Sequence, residues 1–350
     1  MVDPLYYDEI MAQRIVFAGT LGHLLHAFTG EHVGEPRLLS HAESRSPGLK
    51  GFGLFRPPMF RRRLLKNGRL NFGCEVLPEC LDSFSIYRED MNMNFAERHY
   101  QHEPLLIANV WDAASAVAAQ KAGYQVLGTS SAAIASTLGY DDGQGVPFDE
   151  LFYMVTRIRA ASSLPLSVDM EAGYGDSAEE IADNLRRLAQ TGVAGVNLED
   201  SRVINGVRQL DDASDFSRNL RTVCDTLRSE NYSLFLNIRT DTYLLGHEDA
   251  LQETILRGQR YKAAGADGLF VPCLTSEKDI SLIAEATGLP LNVMCMPVLP
   301  SFDRLKRAGV SRISMGNFVH SAMQSTLTDV MHAIRSRQTF EGLFGDENNR

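Results

Sequence analysis

Carboxylates recur just after short apolar runs in this chain. Leu166-Ser167-Val168 leads into Asp169-Met170-Glu171, and Gly195-Val196-Asn197-Leu198 leads into Glu199-Asp200. Leu234 to Ile238 leads into Arg239-Thr240-Asp241. Carboxylate oxygens are hard ligands that suit Mg²⁺ or Mn²⁺, and Mg²⁺ is usually held by one or two carboxylates, several waters and the substrate. Asp169, Glu171 and Glu199 therefore read as a metal set. Asp169 and Glu171 are two apart and share one face if the strand continues. Any one of the three alone could be a helix cap, and it is their repetition on consecutive runs that points to a cation. Arg239 could grip a carboxylate with two parallel hydrogen bonds or stabilise an enolate oxygen. It could equally be ion-paired with Asp241 or Glu199, and the two readings are compatible.

Weaker signals lie nearby. Thr129-Ser130-Ser131 offers hydroxyls and backbone N–H groups that could cradle a carboxylate. Asp142, in Leu138-Gly139-Tyr140-Asp141-Asp142-Gly143, is either a loop acid reaching over the site or an ordinary turn residue. Gly173-Tyr174-Gly175 gives a permissive loop after Glu171.

The elements that must position these groups are regular from about Met93. Strand-like runs recur at Leu105 to Ala108, Gln125 to Leu127, Leu166 to Val168 and Gly195 to Leu198, then at Leu234 to Ile238, Gly268 to Val271, Leu291 to Met294 and Arg312 to Ser314. Between them lie helix-like stretches: Ala113 to Ala122, Ala178 to Gln190 with Ser177 as N-cap, Asp249 to Ala264, and Glu277 to Ala286. Gly123, Gly192, Gly265, Gly288 and Gly309 punctuate helix ends. Eight strands alternating with helices over roughly 250 residues predict an α/β fold, a TIM (β/α)8 barrel, with its active site where the strands end. A doubly wound open sheet is the alternative, but no GxGxxG turn opens a helix after the first strand. The tail, Phe318 to Arg337, reads as a long helix with a stripe of Val319, Met323, Leu327, Val330, Met331 and Ile334. That stripe can pack on its own barrel or on a neighbouring subunit.

Residues 1–92 read differently, with Gly, Pro and Arg clusters such as Arg56-Pro57-Pro58 and no sustained periodicity. The expected division is an irregular extension over 1–92 and a catalytic barrel over 93–350. The extension holds 11 basic and 11 acidic residues, so the net charge of −10 lies wholly in the rest. An acidic body argues against nucleic-acid binding, which depends on phosphate neutralisation. The basic run Arg61-Arg62-Arg63, Lys66 and Arg69 is read as a solvated loop rather than an RNA or lipid contact. The longest apolar candidate, Ile15 to Phe28, is too short for a membrane span and is interrupted by His23 and His26. It follows Asp3, Asp8 and Glu9, the wrong flank for a targeting signal. A cytoplasmic protein is expected. The five cysteines, Cys74, Cys80, Cys224, Cys273 and Cys295, form no CxxC pair and argue against a disulfide framework or zinc site. Cys273 and Cys295 follow apolar runs and are expected in the core.

Taken together, Asn109-Val110-Trp111-Asp112-Ala113-Ala114-Ser115, Gly128-Thr129-Ser130-Ser131-Ala132-Ala133, the Leu138 to Gly143 loop, Asp169 to Gly175, Asn197 to Asp200 and Arg239-Thr240-Asp241 resemble the isocitrate lyase and phosphoenolpyruvate mutase superfamily. The resemblance runs from about Met93, a candidate start, to beyond Asn317, so residues 1–92 are expected to be dispensable. It implies a TIM barrel whose last helix is swapped between subunits of a homodimer or homotetramer, with Mg²⁺ binding a 2-oxo acid. By motif, Asp169 becomes the direct metal ligand, and Glu171 and Glu199 become ligands through water. Asp142 falls on the loop acid, Arg239 on the substrate arginine, and Thr129, Ser130 and Ser131 on the carboxylate-binding turn. Three departures stand out. The lyases follow the Glu199 position with a Lys-Lys/Arg-Cys-Gly-His loop, whereas this chain reads Ser201 to Arg208 without Cys, Lys or His. They place a Glu where this chain has Pro272, and the mutase loop carries a lysine and an asparagine where this loop offers Asn205 alone.

The metal–enolate core remains. It implies a lyase that cleaves or decarboxylates a small 2-oxo or malate-like acid, with the Ser201–Phe216 loop closing over the site and Arg239, Asp142 and Asn205 as its catalytic groups. Phosphonopyruvate mutase or hydrolase chemistry is the second reading. A non-catalytic barrel that binds metal and metabolite is the third.

Overall fold

Eight parallel strand positions, in sequence order, form a nearly closed barrel. The computed structural model describes residues 94–143 and 145–344. The expectations for the 1–92 extension, including its basic run, Cys74, Cys80 and the Ile15 to Phe28 segment, lie outside the described residues. The strands are β1 (Leu105–Leu106), β2 (Ala108–Val110), β3 (Leu127–Thr129), β4 (Leu166–Asp169) and β5 (Gly195–Glu199), with an antiparallel hairpin of β6 (Ser201–Ile204) and β7 (Val207–Leu210) inserted after them. The barrel continues with β8 (Phe235–Arg239), β9 (Gly268–Val271), β10 (Leu291–Met294) and β11 (Val310–Ser314). The order β1-β11-β10-β9-β8-β5-β4-β3-β2 is parallel at every pairing. The strands β1 and β2 are one segment interrupted at Ile107, so β1 pairs with β11 and β2 with β3. The amides of Ile107 and Ala108 donate to Ile313 and Val126 on either side, which carries the barrel across the break. The open-sheet alternative is excluded.

Alternation along the strands explains the placement of the site. Val168, Val196, Leu198, Leu236, Ile238, Leu269, Val271, Leu291, Val293 and Ile313 belong to one core with helix residues such as Leu185, Leu220, Tyr261 and Ile280. The intervening residues face the barrel interior. Ser167, Asn197, Asn237, Asn292 and Arg312 form a buried polar layer there. Asn237 Nδ2 donates to Asn197 Oδ1 at 2.9 Å and to Asn292 Oδ1 at 3.1 Å, and Arg312 Nη2 reaches Asn197 Oδ1 at 3.3 Å. One step further along the same strands come Asp169, Glu199, Arg239, Phe270, Met294 and Ser314. Interior layers of such barrels are usually bulky and branched, so this polar layer is unusual.

The helices are α1 (Ala113–Lys121), α2 (Ser131–Leu138), α3 (Phe148–Ala161), α4 (Ala178–Gln190), α5 (Ala213–Ser229), α6 (Ala250–Ala264), α7 (Glu277–Thr287), α8 (Phe302–Arg307) and α9 (Phe318–Arg337). Ser177 caps α4 as expected, its hydroxyl accepting from Glu180 N at 3.2 Å. Gly265 ends α6 at φ 116°, where a Cβ would meet Cys224 Sγ at 2.8 Å. Two helices, α2 and α3, occupy the segment after β3, where only a cradle and a loop were expected. The Ser201–Phe216 segment is the β6–β7 hairpin followed by the first turn of α5 rather than an open loop. Cys273 and Cys295 are half-buried, not core residues; among the described residues Cys224 is the buried cysteine. They sit just past the ends of β9 and β10, where the chain has left the packed sheet.

The helix α9 is not covered by its own barrel. His320 is its buried residue, edge-on to Trp111 at 4.8 Å, while Val319, Met323, Leu327 and Met331 are 41–61% exposed. No helix among the described residues is long and apolar enough to cross a membrane.

Candidate active site

A cavity of about 240 Å³ opens at the C-terminal ends of the strands. Part of its wall is polar: Thr129 at the end of β3 with Ser130 and Ser131 after it, Asp142 on the loop after α2, Asp169 at the end of β4, Arg239 at the end of β8 and Arg208 from the hairpin. Phe270 from β9, Pro272 just after it, Met294 from β10 and Leu244 add apolar surface, and the neutral polar residues Asn109, Asn197, Ser314 and Asn317 also line it. The volume suits a small organic acid.

Asp169 is held on three points. Its amide donates to Thr129 Oγ1 at 2.8 Å, and its Oδ2 accepts from Ser131 Oγ at 2.8 Å and Ser131 N at 3.3 Å. Its Oδ1 is buried and has no hydrogen-bond partner among the described residues. A buried carboxylate oxygen left bare costs free energy unless something pairs it. Among the described residues no three His, Cys, Asp or Glu side chains group closely enough to ligate a metal together. One direct carboxylate with water completing the shell is the usual Mg²⁺ arrangement, and Asp169 fits it.

The other two acids stand behind the cavity wall. The strand β4 ends at Asp169, so alternation does not place Glu171; the residue adopts φ 46°, and the chain turns there. Its Oε1 accepts from Tyr174 OH at 2.6 Å, and Tyr174 is itself left-handed at φ 55°. Two such non-glycine residues beside one site store strain of about 1–3 kcal/mol each. Glu199 is 3% exposed and ion-paired with Arg208 and with Arg239, whose Nη1 lies 2.8 Å from Oε2. Burial pushes its carboxyl well up, against the pull of Arg239 and Arg208. Arg239 also donates from Nε and Nη2 to the two oxygens of Asp241, at 2.6 and 3.0 Å. The ion-pair reading of Arg239 is therefore present in full.

Asp142 stands exposed at the mouth. Local crowding and then Asp169 raise its pKa, opposed by Arg208 and Arg239. The hydroxyls of the cradle are committed, Thr129 and Ser131 to Asp169 and Ser130 to the Ala133 amide as N-cap of α2. What the turn still presents is the N-terminus of α2, whose dipole favours an anion. Asn205 is not brought to the site: it is exposed at the hairpin tip at φ 52°.

Sequence reasoning passed over Arg208, whose Nη1 reaches Glu199, Ser201 Oγ at 2.9 Å and Asp241 Oδ2 at 3.3 Å. It also passed over the support behind it. Asp200, fully buried, accepts from Arg257 Nη1 at 3.0 Å, Tyr261 OH at 2.6 Å and the Asp241 amide at 3.2 Å. This anchors the base of the hairpin to α6.

Residues 95–335 match the family model described as phosphoenolpyruvate phosphomutase. The chain belongs to that family, within the isocitrate lyase and phosphoenolpyruvate mutase superfamily. An uncharacterized protein of Mycobacterium tuberculosis is 32% identical over 66% of this chain and 84% of its own length. The 2-methylisocitrate lyase of Escherichia coli is 27% identical over 68% and 82% respectively. A solved structure of a phosphonomutase candidate from Burkholderia cenocepacia is 34% identical, with a TM-score of 0.64 over 68% of this chain and 96% of that one.

Proposed function

We propose that this chain is a Mg²⁺-dependent lyase that cleaves a C–C bond in, or decarboxylates, a small 2-oxo or malate-like acid through an enolate. The observation that carries this reading is the bare, buried Oδ1 of Asp169 at the wall of a small polar cavity. Asp169 would hold the ion, with Glu171 and Glu199 behind it holding its waters. When bound, the cation supplies Lewis acidity and a template for the 2-oxygen and the carboxylate. The chain's own groups supply the rest. The α2 N-terminus after Ser130 orients the carboxylate. Arg239, kept cationic because Glu199 and Asp241 outweigh its burial, balances the negative charge that develops on the enolate oxygen. Asp142, at the mouth, would carry a proton to or from the substrate carbon.

Phosphonopyruvate mutase or hydrolase chemistry is the second reading, favoured by the matching family model. The exposed position of Asn205 and the absence of lysine from the hairpin weigh against it. We further propose that the exposed stripe of α9 packs on a second copy of the chain, giving a homodimer or homotetramer, and that the protein works in the cytoplasm on a soluble metabolite. Purified protein should be offered oxaloacetate, phosphonopyruvate and 2-methylisocitrate with Mg²⁺ and again with EDTA. Metal-dependent turnover of one of the two carbon acids supports the lyase, and turnover of phosphonopyruvate alone supports the second reading. Oxalate binding without turnover of any would leave a non-catalytic metabolite-binding barrel.

A further inference from the structure

The two guanidinium groups that line the cavity have spent their donors differently. Each nitrogen of Arg239 already lies beside an oxygen of Asp241 or Glu199. Arg208 is anchored through one nitrogen only: Nη1 serves Glu199, Ser201 and Asp241 together. Its Nε and Nη2 donate to no group among the described residues. The Nη2 end faces the Asp142 loop, since a Cβ built on Gly143 would lie 3.8 Å from it. The same Cβ would strike Val203 Cγ2 at 2.5 Å, so the hairpin and this loop approach as closely as a glycine allows. Burial, and then Arg239, oppose the charge of Arg208, but Glu199 and Asp241 together offset them and the group stays cationic.

A planar guanidinium with an open edge matches a carboxylate through two parallel bonds. Its fixed anchorage means little freedom is lost when an anion arrives. Elsewhere in the lining Phe270 and Met294 offer a second negative charge no partner, and Asn109, Asn197, Ser314 and Asn317 are neutral, which leaves Arg208, among the described residues, as the lining cation with donors to spare. We propose that Arg208 receives the second carboxylate of the substrate, so that the site selects dicarboxylates over 2-oxo acids with a single carboxylate. The inference rests on the metal-centred reading, in which the first carboxylate and the 2-oxygen are held beside Asp169.

The test measures Mg²⁺-dependent binding of two probes to the full chain by calorimetry. Oxalate fills only the metal side, whereas 3,3-difluorooxaloacetate has a distal carboxylate and no C3 hydrogen to lose. Arg208→Met should weaken the difluoro compound by about tenfold or more while changing oxalate by less than about threefold, as the loss of one charge-assisted pair requires. Arg208→Lys, which keeps the charge but not the fork, should fall between and guards against a misfolded methionine variant. Equal weakening of both probes would make Arg208 only a clamp for Glu199 and Asp241 and would overturn the proposal, as would no weakening of either. If wild-type protein with Mg²⁺ binds no oxalate, the metal-centred reading itself falls, and this inference falls with it.

Discussion

At Asp169 the two carboxylate oxygens have different tasks. Oδ2 fastens the residue to Ser131, and Oδ1 is left bare. Asp169→Ala should therefore abolish Mg²⁺ binding in a calorimetric titration while the barrel stays folded, because Ser131 remains in α2. Unchanged affinity would sink the site assignment. A second residue, at the far end of the barrel, should make stability fall in acid. His99, in the 3₁₀ turn Glu97–Tyr100, stacks on Phe235 at 3.9 Å, and its Nδ1–H donates to Phe95 O at 3.0 Å. Burial, and then the charge of Arg312, lower its pKa to about 3. The folded value lies below the unfolded value of about 6.5, so His99 favours the fold fully above that pH. As the pH falls from 6.5 toward 3 the unfolded chain binds the extra proton, and stability drops by up to about 1.4 kcal/mol per pH unit. Urea midpoints at pH 7 and pH 5 should fall further apart for wild type than for His99→Phe. Equal shifts would assign the acid sensitivity to other groups.

At the scale of elements, the contact between the hairpin and the Asp142 loop is the feature most open to test. Gly143→Ala combines a strained φ of 102° with a collision against Val203. It should cost about 1–3 kcal/mol and speed proteolysis within the hairpin. Adding Val203→Ala should recover the steric share and leave the backbone share, a coupling that a double-mutant cycle reads directly. Additive effects would show that the two segments do not touch. The same region marks where the sequence stopped being legible. The barrel strands were visible because each is apolar on its outer face, and their last inward residues were visible because carboxylates and Arg239 follow those runs. Glu171 was expected on the inward face of a continuing strand, but the strand ends at Asp169 and a left-handed turn leaves Glu171 behind the cavity wall. The hairpin was opaque: Ser201 to Leu210 alternates weakly, and Arg208 meets Glu199 and Ser201 only once the two strands pair. Asp200 read as a neighbour of Glu199, whereas its partners Arg257 and Tyr261 lie 57 and 61 residues away. The helix α2 was hidden by its own first residues, read as a cradle although Ser130 is the cap that starts it.

At the scale of the whole molecule, α9 is the helix whose apolar stripe the described barrel leaves exposed. A stripe with Met331 61% exposed and Val319, Met323 and Leu327 above 40% is apolar surface of the kind a closed two-fold contact covers. Light scattering at micromolar concentration should find a dimer or tetramer, and cutting the chain after Asn317 should dissolve that assembly. A clean monomer of the intact chain would refute the contact. Its existence would also couple abundance to endurance. When assembly occurs only in the folded state, mass action raises the melting temperature with protein concentration. A dilution series in a thermal-shift experiment should therefore trace a rising midpoint from the most dilute sample to the most concentrated. In a cell that makes few copies, the exposed helix would leave each molecule nearer its unfolding threshold, so expression level would govern how long the protein lasts as well as how much of it there is.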